Sequence, residues 1–434
     1  FNAVPGIAPG FIRSQGFGNL FNKVQPGNDT SLISLAHAEP FACNFGTNKH
    51  IFTFNEQGDF VYGVPPCSIL AYLSGTARMA MINLTIVASV PDDQLPQVVY
   101  VTGSPAKLEE MNKYALISDL RKRGTRVELI DRKDPEIISK LIEYGKPSVI
   151  WTNYASQESY DQACAIIEKG GNLNSYAGAA DPKLVINMPI GPGEKFGTLE
   201  EQAEAQICSM HHNVGPNDPI RHSGLAENPA VALLGFGEDR ERIDAYLSKL
   251  PDGCQVYVPH HSLAGLENVE LSSSASFTDV FIAGKGEDAV REYQSIELNL
   301  ARSAAVNFVD GDTDVPILSR QAHYVSRHQI CGSNVPWNLT NTSEPHSDDM
   351  VVQAKNPVSF DWMVKGICGL NYVTDMMEQV EKNQPFGSFF TFIELPDLPY
   401  VEVNSKSFTE AAGKSDGLAS QALLAGARVL SENG

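Results

Sequence analysis

Cysteine is sparse in this chain, and none of it is spaced for a recognisable purpose. Seven cysteines stand at 43, 67, 164, 208, 254, 331 and 368. No C-x-x-C pair occurs and the count is odd, so neither a disulfide framework nor a structural zinc knot organises the fold. Bases are scarce too. Only 32 Lys and Arg face 52 Asp and Glu, for a formal net charge of -20. Such a chain does not grip nucleic acid or an anionic membrane through bulk electrostatics. No apolar run reaches the roughly 18 residues that a membrane helix needs, so no membrane insertion is expected. What remains is ordinary globular material, 434 residues with 42% apolar and 9% aromatic content. That length predicts two or three domains. The cysteine pattern points to a reducing compartment. It would be a plastid or mitochondrion if Phe1 follows a cleaved transit peptide, and the cytoplasm otherwise.

The first 35 residues mix Phe1, Phe11, Phe17 and Phe21 with Gly6, Gly10, Gly16, Gly18 and Gly27. No helical or strand period survives that punctuation. The segment reads as an irregular arm, either strapped over this protein's own body or docked on another subunit of a larger assembly. A photosynthetic antenna is one conceivable partner in an organelle.

From residue 68 the pattern alternates between short apolar runs and helical stretches. Strands are expected at 68–73, 98–101, 126–130, 148–151 and 172–176, with helices at 76–90, 105–123, 134–144 and 158–168 between them. Residues 190–229, rich in Gly, Pro, His and Asn, read as a linker. A second alternation follows: strands at 230–234, 254–258, 269–271, 279–283 and 304–309, and helices at 238–249 and 286–302. Alternation of this kind makes parallel sheets covered by helices on both faces. The fold class is therefore α/β, with two Rossmann-like doubly wound parallel sheets and an extended N-terminal arm. The expected parts are an arm (1–35), a first body (36–190), a linker (191–229), a second body (230–320), closing strands and helices (321–400) and a small polar tail (401–434). Within the closing part, 325–331 reads as a strand, 333–347 as a loop, 360–366 and 371–382 as helices, and 389–395 as a strand. The tail is expected to turn helical after 409.

Several segments resemble the medium-chain dehydrogenase/reductase superfamily, in the branch of sorbitol dehydrogenase and sorbose-phosphate reductase. Ala38-Glu39-Pro40-Phe41-Ala42-Cys43 is similar to that family's E-P-x-x-C element. The likeness continues through 69–81, Val98 to Asp131 and Gly170 to Gly178. It resumes at Ala322-His323-Tyr324, Ile330-Cys331-Gly332 and Gly366 to Asn371. The second body appears as an insertion between these parts. The resemblance implies hydride transfer between an alcohol and NAD or NADP, assisted by zinc, with a polyol or sugar phosphate as substrate.

The residues themselves depart from that chemistry at three places. A dinucleotide cradle uses G-x-G-x-x-G/A, because glycines let backbone approach the pyrophosphate. The first body has Tyr72-Leu73-Ser74-Gly75-Thr76-Ala77 at that turn, and the second has Gly235-Phe236-Gly237-Glu238-Asp239-Arg240. The candidate cofactor residues are therefore Ser74, Gly75, Thr76, Ala77, Gly235 and Gly237, with Tyr72 and Ser74 placing side chains where backbone should face phosphate. Glu238 and Asp239 would set negative charge beside it and read better as helix-dipole complements. No acid follows at the ribose position. Ser104 and His260 stand near the strand ends instead, which favours NADP over NAD. The metal ligands shrink to His37, Glu39 and Cys43, with His37 and Glu39 on one face if that stretch is a strand.

Two histidine pairs, His211-His212 and His260-His261, read as loop residues. Neighbours on an extended chain point to opposite sides and rarely chelate one ion, which leaves only a composite site between elements. Asp310-Gly311-Asp312-Thr313-Asp314 starts like a calcium loop, but Gln321 stands where the loop needs Glu. It reads as a solvated turn. Asn338-Leu339-Thr340 and Asn341-Thr342-Ser343 would be glycosylation sequons only in a secreted protein. These departures favour a dehydrogenase-derived binding, linker or scaffolding subunit that does not catalyse. The alternative is an active NAD(P)-dependent zinc-type oxidoreductase.

Overall fold

The computed structural model describes residues 37–54, 60–154, 156–176, 185–188, 197–208, 210–213, 221–259, 276–310, 313–316, 327–330, 337–341, 358–360, 363–383, 388–392 and 396–402. The arm at 1–35, the strand expected at 269–271 and the tail from 404 lie outside these residues. The chain divides into a larger unit, Pro40–Asp349, and a smaller one made of Phe1–Glu39 with Met350–Gly434.

The E-P-x-x-C stretch is a helix, α1 (Ala38–His50), where an extended strand was one expectation. Pro40 falls in its first turn, where a missing N–H costs nothing. Asn44 Nδ2 donates back to Pro40 O at 2.8 Å, and Thr47 Oγ1 to Cys43 O at 2.9 Å. A short hairpin follows, β1 (Phe52–Phe54) with β2 (Phe60–Tyr62).

The first body then runs β3 (Ile69–Leu73), α2 (Arg78–Ala88), β4 (Val98–Gly103), α3 (Pro105–Asn112), α4 (Ala115–Lys122), β5 (Arg126–Asp131), α5 (Ile137–Leu141), β6 (Val149–Thr152), α6 (Gln157–Ile166) and β7 (Gly171–Asn174). The helix expected over 105–123 is broken at Lys113-Tyr114 into two. Its strands are all parallel and lie in the order β5-β4-β3-β6-β7. In units of the body's own strands this is the Rossmann order 3-2-1-4-5.

Next come β8 (Val185–Met188), α7 (Leu199–Cys208), and a hairpin of β9 (His211–Asn213) with β10 (Arg221–Ser223). The expected linker thus carries a packed helix. Ala203 and Ile207 of α7 are buried in one apolar cluster with Val231, Leu233, Ile243 and Tyr246. The second body contains β11 (Ala230–Leu234), α8 (Arg240–Leu247), β12 (Gln255–Tyr257), β13 (Phe277–Ile282), α9 (Gly286–Ile296) and β14 (Leu300–Phe308). After β15 (Thr313–Pro316), which pairs antiparallel with β8, come β16 (Arg327–Ile330) and β17 (Trp337–Asn341). β17 lies inside the stretch expected as a loop.

β16 and β17 join the two bodies. β17 pairs in parallel with β7, completing the order 3-2-1-4-5-6. β16 pairs in parallel with β14, giving the second body the order 2-1-3-4-5 of the other common doubly wound sheet. The contact between β16 and β17 is antiparallel. The result is one 11-stranded sheet containing two Rossmann-like bodies. Because the only reversal falls at that junction, strands of the two bodies run in opposite directions. Their carboxyl ends therefore open on opposite edges of the sheet.

Both faces are covered, as parallel sheets require. Along β11, Ala232 and Leu234 belong to an apolar cluster shared with Ala71, Leu73, Ile150 and Leu173 of the first body. Val231 and Leu233 face the α7–α8 side instead. Each fully buried Leu, Ile or Val contributes roughly 1.5–3 kcal/mol, so this shared cluster is a strong reason for the bodies to fold as one unit.

The smaller unit builds its own sheet from β18 (Val364–Gly369), α10 (Val373–Asn383), β19 (Ser388–Phe392) and β20 (Val401–Glu402), in the order β19-β18-β20. β18 begins within the stretch expected as a helix at 360–366 and takes its last three residues. Of the expected closing part, then, 327–341 extends the large sheet and 364–402 forms a separate one.

Candidate functional site

In doubly wound sheets ligands bind beyond the carboxyl ends of the strands, where the strand order reverses. The first body reverses between β3 and β6, beside the turn Ser74-Gly75-Thr76-Ala77. The second reverses between β11 and β13, beside Gly235-Phe236-Gly237 and Gly284-Lys285-Gly286.

In the first turn two backbone amides, those of Ser74 and Gly75, are already used. Ser74 stands at a left-handed φ of 54° and its N–H donates to Thr102 Oγ1 at 2.8 Å. The Gly75 N–H donates to Thr102 O at 2.9 Å. Gly75 is needed for close packing: a Cβ there would sit 2.5 Å from Tyr72 Cβ and 2.8 Å from Val101 Cγ1. A Cβ on Gly103 would meet Thr76 Cγ2 at 2.4 Å. Thr76 therefore fills the space beside the end of β4, where a ribose-binding acid stands in a dinucleotide site. Ala77 is the N-cap of α2 and supplies no side-chain cap, and Arg78 follows it, exposed. Ser104 is the N-cap of α3, with Pro105 behind it and no side-chain bond to the helix.

Tyr72 does not reach this cradle, contrary to the sequence expectation. Its ring is buried and stacks on Trp151 with centroids 4.6 Å apart. Its hydroxyl donates to Asn83 Oδ1 at 2.8 Å, and Asn83 Nδ2 donates to Asn48 Oδ1 at 2.8 Å. Burial pushes the Tyr72 phenol well above its ordinary pKa. It ties β3, α2 and α1 together as a neutral donor.

The second turn is closed by different means. Gly235 has a φ of 73°, and a Cβ there would lie 2.2 Å from Ala283 O. Gly237, at a φ of 58°, faces open space. Asp239 is a helix cap, as the dipole argument anticipates: its Oδ1 accepts from Arg242 N at 3.1 Å. The residue that decides this site is Asp310, which the sequence reading assigned to a solvated turn. Its Oδ1 accepts from the Arg242 guanidinium at 2.6 Å and its Oδ2 from the Gly284 N–H at 2.6 Å. Arg242 also lies over the Phe236 ring, 5.1 Å from its centroid. A carboxylate of the chain thus occupies the Gly284 amide just beyond β13, beside this turn.

The proposed metal residues are not drawn together as a ligand set. His37 is buried against Phe360 at 5.2 Å and Phe390 at 5.7 Å between centroids. Glu39 is exposed in the first turn of α1, and Cys43 is buried further along the same helix. Among the described residues no group of three His, Cys, Asp or Glu side chains is placed to hold a metal ion. His260 lies outside the described residues. No described thiol with a resolved shift is activated either. Burial, with Asp161 nearby, pushes Cys164 up to about 12, and burial, with Asp279 nearby, pushes Cys254 up to about 11. Both remain protonated near neutrality, so neither is a ready nucleophile. Asn338 lies on β17, flanked by β7 and β16 in the sheet.

No protein-family model matches the chain, and no curated protein matches it in sequence. Solved structures similar to part of it are dehydrogenases. L-idonate 5-dehydrogenase from Escherichia coli is 15% identical over 37% of this chain and 39% of its own, with a TM-score of 0.26. An alcohol dehydrogenase from a Thermus species is 10% identical over 40% and 41%, with a TM-score of 0.24. 2R,3R-butanediol dehydrogenase from Bacillus subtilis is 13% identical over 32% and 33%, with a TM-score of 0.24. The chain covers well under half the length of each. These are partial likenesses, and the activities of those enzymes do not transfer with them.

Proposed function

We propose that this chain is a dehydrogenase-derived Rossmann-like protein that serves as a non-catalytic binding, linker or scaffolding subunit. One observation carries the reading. In the first turn the Ser74 and Gly75 amides are consumed from within by Thr102, and at the second body's switch point the Gly284 amide is held by Asp310. A dinucleotide would have to break those bonds and, in the second body, displace a carboxylate. The residues present therefore do not fit a nucleotide pyrophosphate, and no ligand set for a catalytic zinc accompanies them among the described residues. Other protein subunits, engaged through residues 1–35, are the partners this reading calls for. The test is a thermal melt of the full chain with NADH or NADPH, beside an assay for polyol and alcohol oxidation with NAD+ or NADP+ and added zinc. A ligand at 100 times its dissociation constant stabilises by about 2.7 kcal/mol. No shift and no turnover are expected, and either one observed would overturn the reading.

A second reading, an NAD(P)-dependent oxidoreductase, is favoured by the 3-2-1-4-5-6 strand order and by the start of α2, which has no side-chain cap and carries Arg78. An uncapped helix start attracts anions. NADP+-dependent oxidation of an alcohol by the purified chain would establish it.

A further inference from the structure

β5 ends the large sheet. Arg126 N donates to Gln97 O and Arg132 N to Gly103 O, both at 2.9 Å, so the even-numbered residues of this strand turn their backbone toward β4. In a parallel strand the N–H and C=O of one residue point to one side and those of the next residue to the other. Val127, Leu129 and Asp131 therefore turn theirs to the open edge. Such an edge is a template for pairing with another strand. One group along it is covered by a side chain. Arg121, in the last turn of α4, donates from Nη2 to Val127 O at 3.0 Å, and its Nη1 donates to Asn112 Oδ1 at 2.6 Å. An exposed arginine is thus pinned by the end of α3 across an edge carbonyl.

We propose that β5 is a strand-pairing surface for a second copy of this chain, held shut by Arg121. The charges of the strand select the register. Twofold pairing sets β5 antiparallel to itself, with opposed residues on one face of the joined sheet. With Val127 opposite Val127 of the second copy, Arg126 faces Glu128 of that copy, and the symmetry repeats the match. Sliding by one step sets Glu128 opposite Glu128, and by two steps Arg126 opposite Arg132. Directly opposed unlike charges stabilise a strand pair and like charges destabilise it. In the favoured register the central Val127 pair exchanges both of its N–H···O bonds. The carbonyl those bonds need is the one that the Arg121 guanidinium occupies. The best-matched pairing is therefore the one the arginine blocks. Nothing in this depends on whether either glycine turn binds a nucleotide.

The test is sedimentation velocity of the full chain over a range of concentrations. Arg121→Met keeps the length of the side chain and removes its donors. It should tighten self-association by about tenfold or more over the parent. Adding Glu128→Arg to that variant sets Arg opposite Arg126 and should return association to the parent's level. Lys122→Met, one residue along the helix, should sediment as the parent. Arg121→Met sedimenting as the parent would overturn the proposal. So would a gain that survives Glu128→Arg, or an equal gain in Lys122→Met. Should Arg121→Met fail to fold, Asn112→Ala supplies the decision, because it frees the same guanidinium from its second anchor. Tighter self-association in that variant supports the proposal, and unchanged sedimentation contradicts it.

Discussion

The two bodies share one sheet and one helical layering logic, yet they close their switch points in opposite ways. The first uses close packing and neutral hydrogen bonds: Gly75 against Tyr72 and Val101, Thr76 against Gly103, and Thr102 on two amides. The second uses charge: Arg242 and Asp310, with the Gly284 amide on the same carboxylate. Strand order alone therefore does not say whether a doubly wound body binds a nucleotide. The decision lies in which atoms satisfy the turn's amides.

Substitutions can break or sharpen this contrast. The largest effect is expected at Gly235. Its left-handed φ and the 2.2 Å approach to Ala283 O leave no room for a Cβ, so Gly235→Ala should cost about 3 kcal/mol or more in denaturant unfolding. Gly237→Ala, also left-handed but facing open space, should cost only about 1–2 kcal/mol. Equal losses would show that conformation, and not the Ala283 contact, governs this turn. Next is Asp310→Ala. The Arg242 and Asp310 side chains are 19% and 25% exposed, and the change strands both the guanidinium and the Gly284 N–H. A loss of about 2–3 kcal/mol is expected. Thr102→Val keeps the shape and removes the acceptor for Ser74 N–H, for about 1 kcal/mol. At the bottom, Asp244→Ala breaks the exposed i,i+4 pair with Arg240 and should shift stability by about 0.3 kcal/mol, within the scatter of a melt. A Thr102 effect larger than that of Asp310 would invert the comparison.

Most strands of both bodies were readable because they are short apolar runs between turn residues, as at 230–234, where expectation and structure coincide. Three features were not readable. α1 hides behind Asn44, Gly46, Thr47 and Asn48, weak helix formers, and the side chains of Asn44, Thr47 and Asn48 bond back to the helix or to α2. β17 is polar and its sequence neighbours are rich in Ser, Thr and Asn, and its place in the sheet comes from pairing with β7, more than 160 residues earlier. No local pattern encodes such pairing. Asp310 looked like surface because its partners, Arg242 and Gly284, are distant in the chain. The glycines of G-F-G were visible, but not that one of them packs against Ala283.

The most direct test of the central claim is residue-resolved amide hydrogen exchange with and without saturating NADPH. The Ser74, Gly75 and Gly284 amides should be protected in the free chain and unchanged by the nucleotide. Fast exchange of these amides in the free chain, slowed when NADPH is added, would show that the turns are open phosphate cradles and would contradict the account.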